Sequence, residues 1–341
     1  MSRKNIILTD CEPEEILDFS EGLSNISQKK YDICSYLCNQ GRSGLNNARR
    51  YWIYATYPLK FVFKRQQYDE IIAWQQFFAI FYAFYSRVFH LKKCNTVVVV
   101  NFTFKAKSGL AGRLYEKFMH FSVNNEYMDY IHVPSNKYAD LCAVEFGIER
   151  KKFIVTPFGL PDSYDQWKNS TTEEKDYTLA IGRSNRDYDF LIEAWRKMPS
   201  AERLIIICDT YKCSQPIPEN IIIKNNVTGD SQFPYIANCK MMVIPIQDGN
   251  ICSGDTVLLK AMSYGKPVVV TVPSTLGEMY IEDGVTGVLV KKDLDEFGMK
   301  VGQLLQDKNL QDQYSLNARK KYELSFSRKA MGKKLGELIN D

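Results

Sequence analysis

Nothing in the sequence is long and apolar enough to span a membrane, because polar residues interrupt every window of about 18 residues. The early run Ile6-Ile7-Leu8 is too short for a secretory signal and reads as a first strand. No Gly-x-Gly-x-x-Gly follows that strand, which argues against a nicotinamide dinucleotide site there. Zinc-finger spacing and RNP-like aromatic strands are missing too, so no signature supports nucleic acid as a partner. Internal repeats and low-complexity tracts are absent. The nine cysteines are odd in number and scattered, and the one close pair, Cys34-x3-Cys38, has no partner pair. Free thiols in a reducing cytosol fit this better than a disulfide frame or a zinc site.

What is present is ordinary globular material for two domains. The 341 residues exceed the usual length of one domain, and 45% hydrophobic with 25% charged residues excludes disorder. Charge is uneven: residues 1–160 carry a net +6, and residues 30–117 hold 14 basic against 4 acidic side chains. Aromatics interleave with these cations in Tyr51–Arg65 and again in Gln75–Leu91. The mixture suits an anionic bilayer surface, with Gln75–Leu91 as an interfacial helix; the alternative is a core helix with a solvated basic face.

Apolar runs alternate with helical patterns along the chain. Strands are expected at Asn5–Thr9, Asp32–Leu37, Glu70–Trp74, Thr96–Asn101, Tyr130–Pro134 and Phe153–Thr156. After Pro161 the polar stretch Asp162–Asp176 reads as a junction. Strands resume at Tyr177–Ile181, Arg203–Cys208, Asn220–Lys224, Met241–Pro245, Pro267–Val272 and Gly287–Val290, with helices at Tyr188–Lys197, Phe233–Ala237, Thr256–Tyr264 and Leu294–Asp307. Such alternation implies parallel sheets covered on both faces, with ligands beyond the carboxyl ends of the strands and a default site in a cleft between two domains.

The most informative stretch is Gln247–Val270: a polar loop, a helix opened by Ser253-Gly254-Asp255-Thr256, then Lys260-Ala261-Met262-Ser263-Tyr264-Gly265-Lys266-Pro267-Val268-Val269. Gly254 permits close backbone approach, and Asp255 or Thr256 is placed to cap the helix. Bare amides and the positive helix end suit a phosphate. On this loop alone, a phosphate site and an ordinary capped helix both remain open. With its flanks, the segment resembles the donor-binding region of GT-B glycosyltransferases of the large retaining family 4. That family has a Glu, seven residues and a second Glu before Ala-Met-Ala-x-Gly-x-Pro-Val-Val. Other pieces follow in family order: Val155–Asp162, Leu179-Ala180-Ile181-Gly182-Arg183, Asp189–Trp195, Gly229-Asp230 with Tyr235–Pro245, and Ile281–Gly287. The likeness is good over 130–310 and poor over the first 100 residues.

The resemblance implies an α/β GT-B fold, two Rossmann-like domains whose parallel sheets face each other across a cleft. Residues 1–160 would bind the acceptor, 161–321 the nucleotide-sugar donor, and 322–341 would form a terminal helix region packing on the first domain. It implies hexosyl transfer from a UDP- or GDP-sugar, with retention and with neither metal nor cofactor. Arg183 and Arg186 would pair with the diphosphate and stabilise the leaving group, as rigid cationic forks. Gly182, Asp230, Ser253, Gly254, Asp255, Thr256 and Lys260 would complete the donor site. Asp187-Tyr188-Asp189 has the spacing of a metal motif but leads into a helix.

Departures from the pattern are plain. The two family glutamates fall on Cys252 and Lys260. Lysine donates rather than accepts, so Lys260 would meet ribose or diphosphate, and Asp248 or Asp255 would take over the sugar contact. Asp10-Cys11-Glu12-Pro13 stands where the family often has Gly-Gly, and Gly41-Arg42-Ser43-Gly44 is the one early glycine-rich loop. Asn101, followed by Phe102 and Thr103, stands where many members have a histidine; a leaving-group oxygen that takes the acceptor proton removes the need for one. Of the three histidines, His90, His120 and His132, His132 reads as structural, and His120 is a candidate to face the acceptor. Asn101, Thr103, Arg113, Lys117 and His120 form the candidate acceptor set, with Arg113 and Lys117 open between a phosphate clamp and a solvated basic stripe. The implied acceptor is a lipid-linked saccharide, glycolipid or polysaccharide at the cytoplasmic leaflet, so a cytoplasmic, membrane-peripheral location is expected. An inactive homologue acting as a scaffold, favoured by Lys260 and Cys252, and a sugar-nucleotide epimerase, disfavoured by scarce histidine, are the rivals.

Overall fold

The computed structural model describes residues 3–38, 44–198, 202–213, 216–249 and 253–340. Cys252 and residues 41–43 of the early glycine-rich loop lie outside them. The chain divides into two compact units, Met1–Pro161 with Arg328–Asp341, and Asp162–Ser327. Residues 322–327, grouped with the terminal helix in the sequence reading, thus fall in the second unit.

The first unit is a six-stranded parallel sheet: β1 (Lys4–Thr9), β2 (Tyr31–Ser35), β3 (Tyr68–Ala73), β4 (Thr96–Val99), β5 (Tyr130–Val133) and β6 (Phe153–Val155), in the order β2-β1-β3-β4-β5-β6. Ile7 pairs with Ile33 on one side and Ile72 on the other, setting the register. Its helices are α1 (Leu17–Ser27), α2 (Gly44–Thr56), α3 (Leu59–Phe63), α4 (Gln76–Val88), α5 (Gly109–Val123) and α6 (Asn136–Phe146). The inner strands β1, β3, β4 and β5 are buried over most of their length, as helix-covered parallel sheets require, and the edge strand β2 is half-buried. Ile7, Ile72 and Val98 pack with Phe19, Leu23, Met331 and Leu335, whereas Ile6, Ile71 and Val97 pack with Phe78, Met119 and Val123.

The structure overturns one expectation here. Gln75–Leu91 is not an interfacial helix: Phe78, Ala79, Ile80, Tyr82 and Ala83 of α4 are buried, and Phe77, Phe81 and Tyr85 lean on the same core. A helix apolar all round is stable in water when its neighbours cover it. Here α2, α3 and α5 do so. Fully burying a side chain such as Phe78 contributes roughly 1.5–3 kcal/mol.

The second unit repeats the theme. Its strands β7 (Tyr177–Ile181), β8 (Arg203–Ile207), β9 (Ile221–Lys224), β10 (Met241–Ile244), β11 (Val268–Val272) and β12 (Gly287–Lys291) are parallel in the order β12-β11-β10-β7-β8-β9. Helices α7 (Tyr164–Trp167), α8 (Tyr188–Lys197), α9 (Phe233–Asn238), α10 (Asp255–Ser263), α11 (Thr275–Tyr280), α12 (Leu294–Gln306) and α13 (Lys308–Lys321) accompany it, and α14 (Arg328–Asn340) returns to the first unit. Connections from β7 run towards β8 and those from β10 towards β11, in opposite senses. The switch point is therefore the crevice at the carboxyl ends of β7 and β10, where such sheets take ligands.

Candidate functional site

Two loops meet at that switch point. The loop after β7 begins at Gly182 and is pinned to the loop after β10. Asn185, in left-handed conformation, donates from Nδ2 to the Asp248 carbonyl at 2.9 Å, and its Oδ1 accepts from the Asp248 amide at 2.8 Å. The Asp187 amide donates to the Pro245 carbonyl at 2.9 Å. Asp248 itself is exposed.

Arg186 locks the two loops together from within. Its Nε donates to the Ile181 carbonyl at 3.3 Å, and its Nη1 to the carbonyls of Ser184 at 2.9 Å and Ser253 at 3.3 Å. Nη2 lies against Gly254 and has no acceptor among the described residues. Gly182 and Gly254 both have positive φ, +138° and +110°, and a Cβ on either would collide with this guanidinium. Burial depresses the Arg186 pKa, yet an arginine keeps its charge.

The start of α10 corrects the capping expectation. Neither Asp255 nor Thr256 occupies the cap position; Gly254 does, without a side-chain cap. The Asp255 carboxylate accepts from the amide of Thr256 at 2.8 Å, inside the helix's own first turn. Helix geometry leaves the opening amides without intrahelical partners, and the open Nη2 of Arg186 sits beside them. Ser253 reaches back to the Ser184 carbonyl at 3.4 Å.

Lys260, one turn after Thr256, is half-buried. Its ammonium has no hydrogen-bond or ion-pair partner among the described residues. It stands over the Phe233 ring, 4.5 Å from the centroid, and Phe233 stacks on Trp167 at 5.5 Å. Burial lowers its pKa, while the charge of Asp230 opposes that shift. Asp230 lies in the exposed turn Gly229–Gln232, just before α9. Arg183 is exposed and its Nε pairs with Asp209 Oδ1 at 2.7 Å. A recess of about 30 Å³ lies beside it, lined by Gly182, Arg183, Asp209, Thr228 and Gln232 among others. A larger hollow, of about 740 Å³, involves Met198 at the far end of α8 and residues of α12 and α13, at the opposite end of the sheet.

Asp209 and Phe233 are the site residues that sequence reasoning missed. Asp209 stands just past the carboxyl end of β8, a place the ligand rule marks. Phe233 opens α9 directly after the turn that holds Asp230. Asp187 and Asp189 have separate partners: Asp187 caps α8 and pairs with Lys292, and Asp189 accepts from Tyr211 at 2.6 Å.

The acceptor candidates are only partly brought together. Asn101 has a φ of 55°, and its amide donates to His132 Nδ1 at 3.0 Å. That acceptor role puts the His132 proton on Nε2, which lies 2.8 Å from Thr156 Oγ1. His132 is fully buried, its pKa pushed down to about 4 by desolvation. Thr103 adjoins at the same end of the sheet, its amide donating to Gln76 Oε1 at 2.9 Å. His120 lies elsewhere. It stands in the last turn of α5, 3.4 Å from Glu145 and with its ring against Phe146. A crossover helix runs antiparallel to its strands, so its last turn lies at the amino end of the sheet; Asn124, just after α5, accordingly donates to the last carbonyl of α6. Arg113 and Lys117 are exposed, without ion pairs among the described residues.

Residues 175–307, all within the second unit, match the family described as Glycosyl transferases group 1. The fold matches solved glycosyltransferase structures along its length. A glycosyltransferase from Rickettsia africae aligns with a TM-score of 0.65 at 12% identity, over 99% of each chain. HepE of Anabaena, solved with UDP and glucose, gives 0.59 at 14%, over 99% of this chain and 100% of that one. The lipopolysaccharide outer core galactosyltransferase WaaB gives 0.60 at 14%, over 99% of each. No curated protein sequence matches the chain. The fold is therefore the α/β GT-B architecture seen in these glycosyltransferase structures, and the match to the group 1 glycosyltransferase family lies in the second unit.

Proposed function

We propose that the protein transfers a hexosyl group from a UDP- or GDP-sugar to a saccharide acceptor, with retention of configuration. The observation that carries this reading is the cationic corner at the β7/β10 switch point: Lys260 without an ion pair among the described residues, the open Nη2 of Arg186, and the start of α10, whose cap residue Gly254 offers no side chain and whose Asp255 carboxylate takes only the Thr256 amide. A diphosphate there meets two fixed cations and backbone donors. Arg183 adds a third once it exchanges Asp209 for phosphate oxygen. Charge that builds on the departing nucleotide diphosphate is thereby stabilised by groups already in place, so the reading calls for no metal ion. Phe233 and Trp167 offer an aromatic wall beside Lys260, and the recess by Arg183 and Thr228 suits an edge of the base or ribose. A leaving phosphate oxygen takes the acceptor proton in a same-face transfer.

The acceptor in this reading is a lipid-linked saccharide or glycolipid. In support, the first unit exposes Trp52 at 70% and Phe63 at 72%, with Leu110 and Leu114, among Arg49, Lys60, Lys64 and Arg113. No helix among the described residues is long and apolar enough to cross a membrane, so contact with lipid would be peripheral. A UDP- or GDP-release assay over common sugar nucleotides, with the product anomer read by NMR, tests the reaction. Turnover with retention supports it; a folded protein that turns over none of them refutes it. Co-sedimentation with anionic liposomes at low salt tests the lipid side, and protein left wholly in the supernatant refutes that part.

A further inference from the structure

The first sheet has a switch point of its own. In the order β2-β1-β3-β4, the connections leaving β1 and β3 diverge, and Asp10 and Gln75 stand just beyond the carboxyl ends of these two strands. Asp10 is only 7% exposed. Its Oδ2 accepts from the Tyr54 hydroxyl at 2.6 Å and from Gln75 Nε2 at 2.8 Å. Both donors are held: Gln75 caps α4, and the Tyr54 ring stacks on Phe77 with centroids 5.5 Å apart. The other oxygen, Oδ1, receives no hydrogen bond among the described residues, and no lysine, arginine or histidine there pairs with the carboxylate. Oδ1 is not among the buried atoms shut off from any partner, so its acceptor capacity stays available to a donor from outside the protein.

Resting on the glycosyl-transfer reading, we propose that Asp10 is a hydroxyl-binding carboxylate of the acceptor subsite, taking a sugar hydroxyl on Oδ1. A neutral polyol is the ligand class that fits. The carboxylate repels anions, and the net positive charge of residues 30–117 disfavours a cation. Asn101 and Thr103 end the neighbouring strand β4 at the same sheet end, and Thr103 is tied to Gln76, next to Gln75. They supply further polar groups for the same sugar.

Saturation-transfer NMR on the whole chain, without donor, tests this with octyl β-glucoside, octyl β-galactoside, octyl β-mannoside and octyl β-N-acetylglucosaminide. The wild type is expected to bind the ring of at least one of them. Asp10→Asn, which puts an amide where a lone pair was, is expected to weaken that binding at least about tenfold, the order of one charge-assisted hydrogen bond. Its nucleotide-sugar binding by thermal shift stays as in the wild type. Asp10→Ser, checked by circular dichroism, serves if the asparagine variant does not fold. Equal glycoside binding by variant and wild type, or no ring binding by the wild type, overturns the proposal. Glycoside binding that depends on Asp10 in a protein that binds no sugar nucleotide supports the subsite and refutes the donor reading instead.

Discussion

Lys260 takes its chemistry from its surroundings. Desolvation makes its ammonium easier to deprotonate, and an aromatic face, not a carboxylate, lies beneath it. A diphosphate bound there is held by a charge that disappears as pH rises through a value below the ordinary lysine range of about 10.4. Nucleotide affinity is expected to fall on the alkaline side earlier than for an exposed lysine, and Lys260→Met to remove that limb; titrations between pH 7 and 10 check it. Asp209→Asn frees Arg183 from its partner and is expected to leave nucleotide affinity equal or a few-fold tighter, measured by calorimetry.

His132 provides a stability prediction. Its folded pKa, about 4, lies below the unfolded value of about 6.5. The contribution is therefore fully present above pH 6.5 and is lost as pH falls from there towards 4, because the unfolded chain takes up the proton first. The unfolding free energy from urea titrations is expected to drop over that window by up to roughly 3 kcal/mol, and His132→Asn to flatten the dependence. Residue types were legible in the sequence for Gly182, Arg183 and Gly254, because a glycine or an arginine at a strand end or helix start has a physical meaning of its own. The pairings Arg183–Asp209 and Lys260–Phe233 were not, since each joins residues some two dozen positions apart that only the sheet order brings together.

At the scale of elements, the contact between α1 and α14 depends on small residues. A Cβ on Gly22 would run into the Lys329 carbonyl, and one on Gly332 into the Phe19 carbonyl. The two helices thus approach backbone to backbone, with Leu23, Met331 and Leu335 sealed beneath. Gly332→Ala is expected to cost about 1–3 kcal/mol by overpacking, read as a lower urea midpoint and faster proteolysis of the C-terminal helix. Helix α4 shows the limit of pattern reading. Aromatics on every face mark a helix that must be covered, but the sequence does not say whether protein or lipid covers it. In the structure it is protein over most of its length, and the most exposed aromatics, Trp52 and Phe63, belong to α2 and α3.

At the scale of the molecule, two six-stranded parallel sheets follow from apolar strands such as Val97–Val100, Ile205–Ile207 and Val268–Val270, which read as unbroken runs because both faces are buried. Strand order was not legible, yet it decides where the sheets offer a crevice: at β7/β10, where we propose the diphosphate, and at β1/β3, where we propose the acceptor sugar. Where the family often has Gly-Gly after its first strand, this chain has the buried Asp10, and the acceptor subsite proposed there rests on that residue's hydrogen bonds.

Isothermal titration of UDP and GDP, with uridine and guanosine as controls, bears most directly on the diphosphate site. The wild type is expected to bind one diphosphate well above its nucleoside. Arg183→Ala and Lys260→Ala are each expected to weaken that diphosphate about tenfold or more, consistent with one charge-assisted contact, and to leave nucleoside binding unchanged. A wild type that binds neither diphosphate, or variants that bind as tightly as the wild type, would contradict the account.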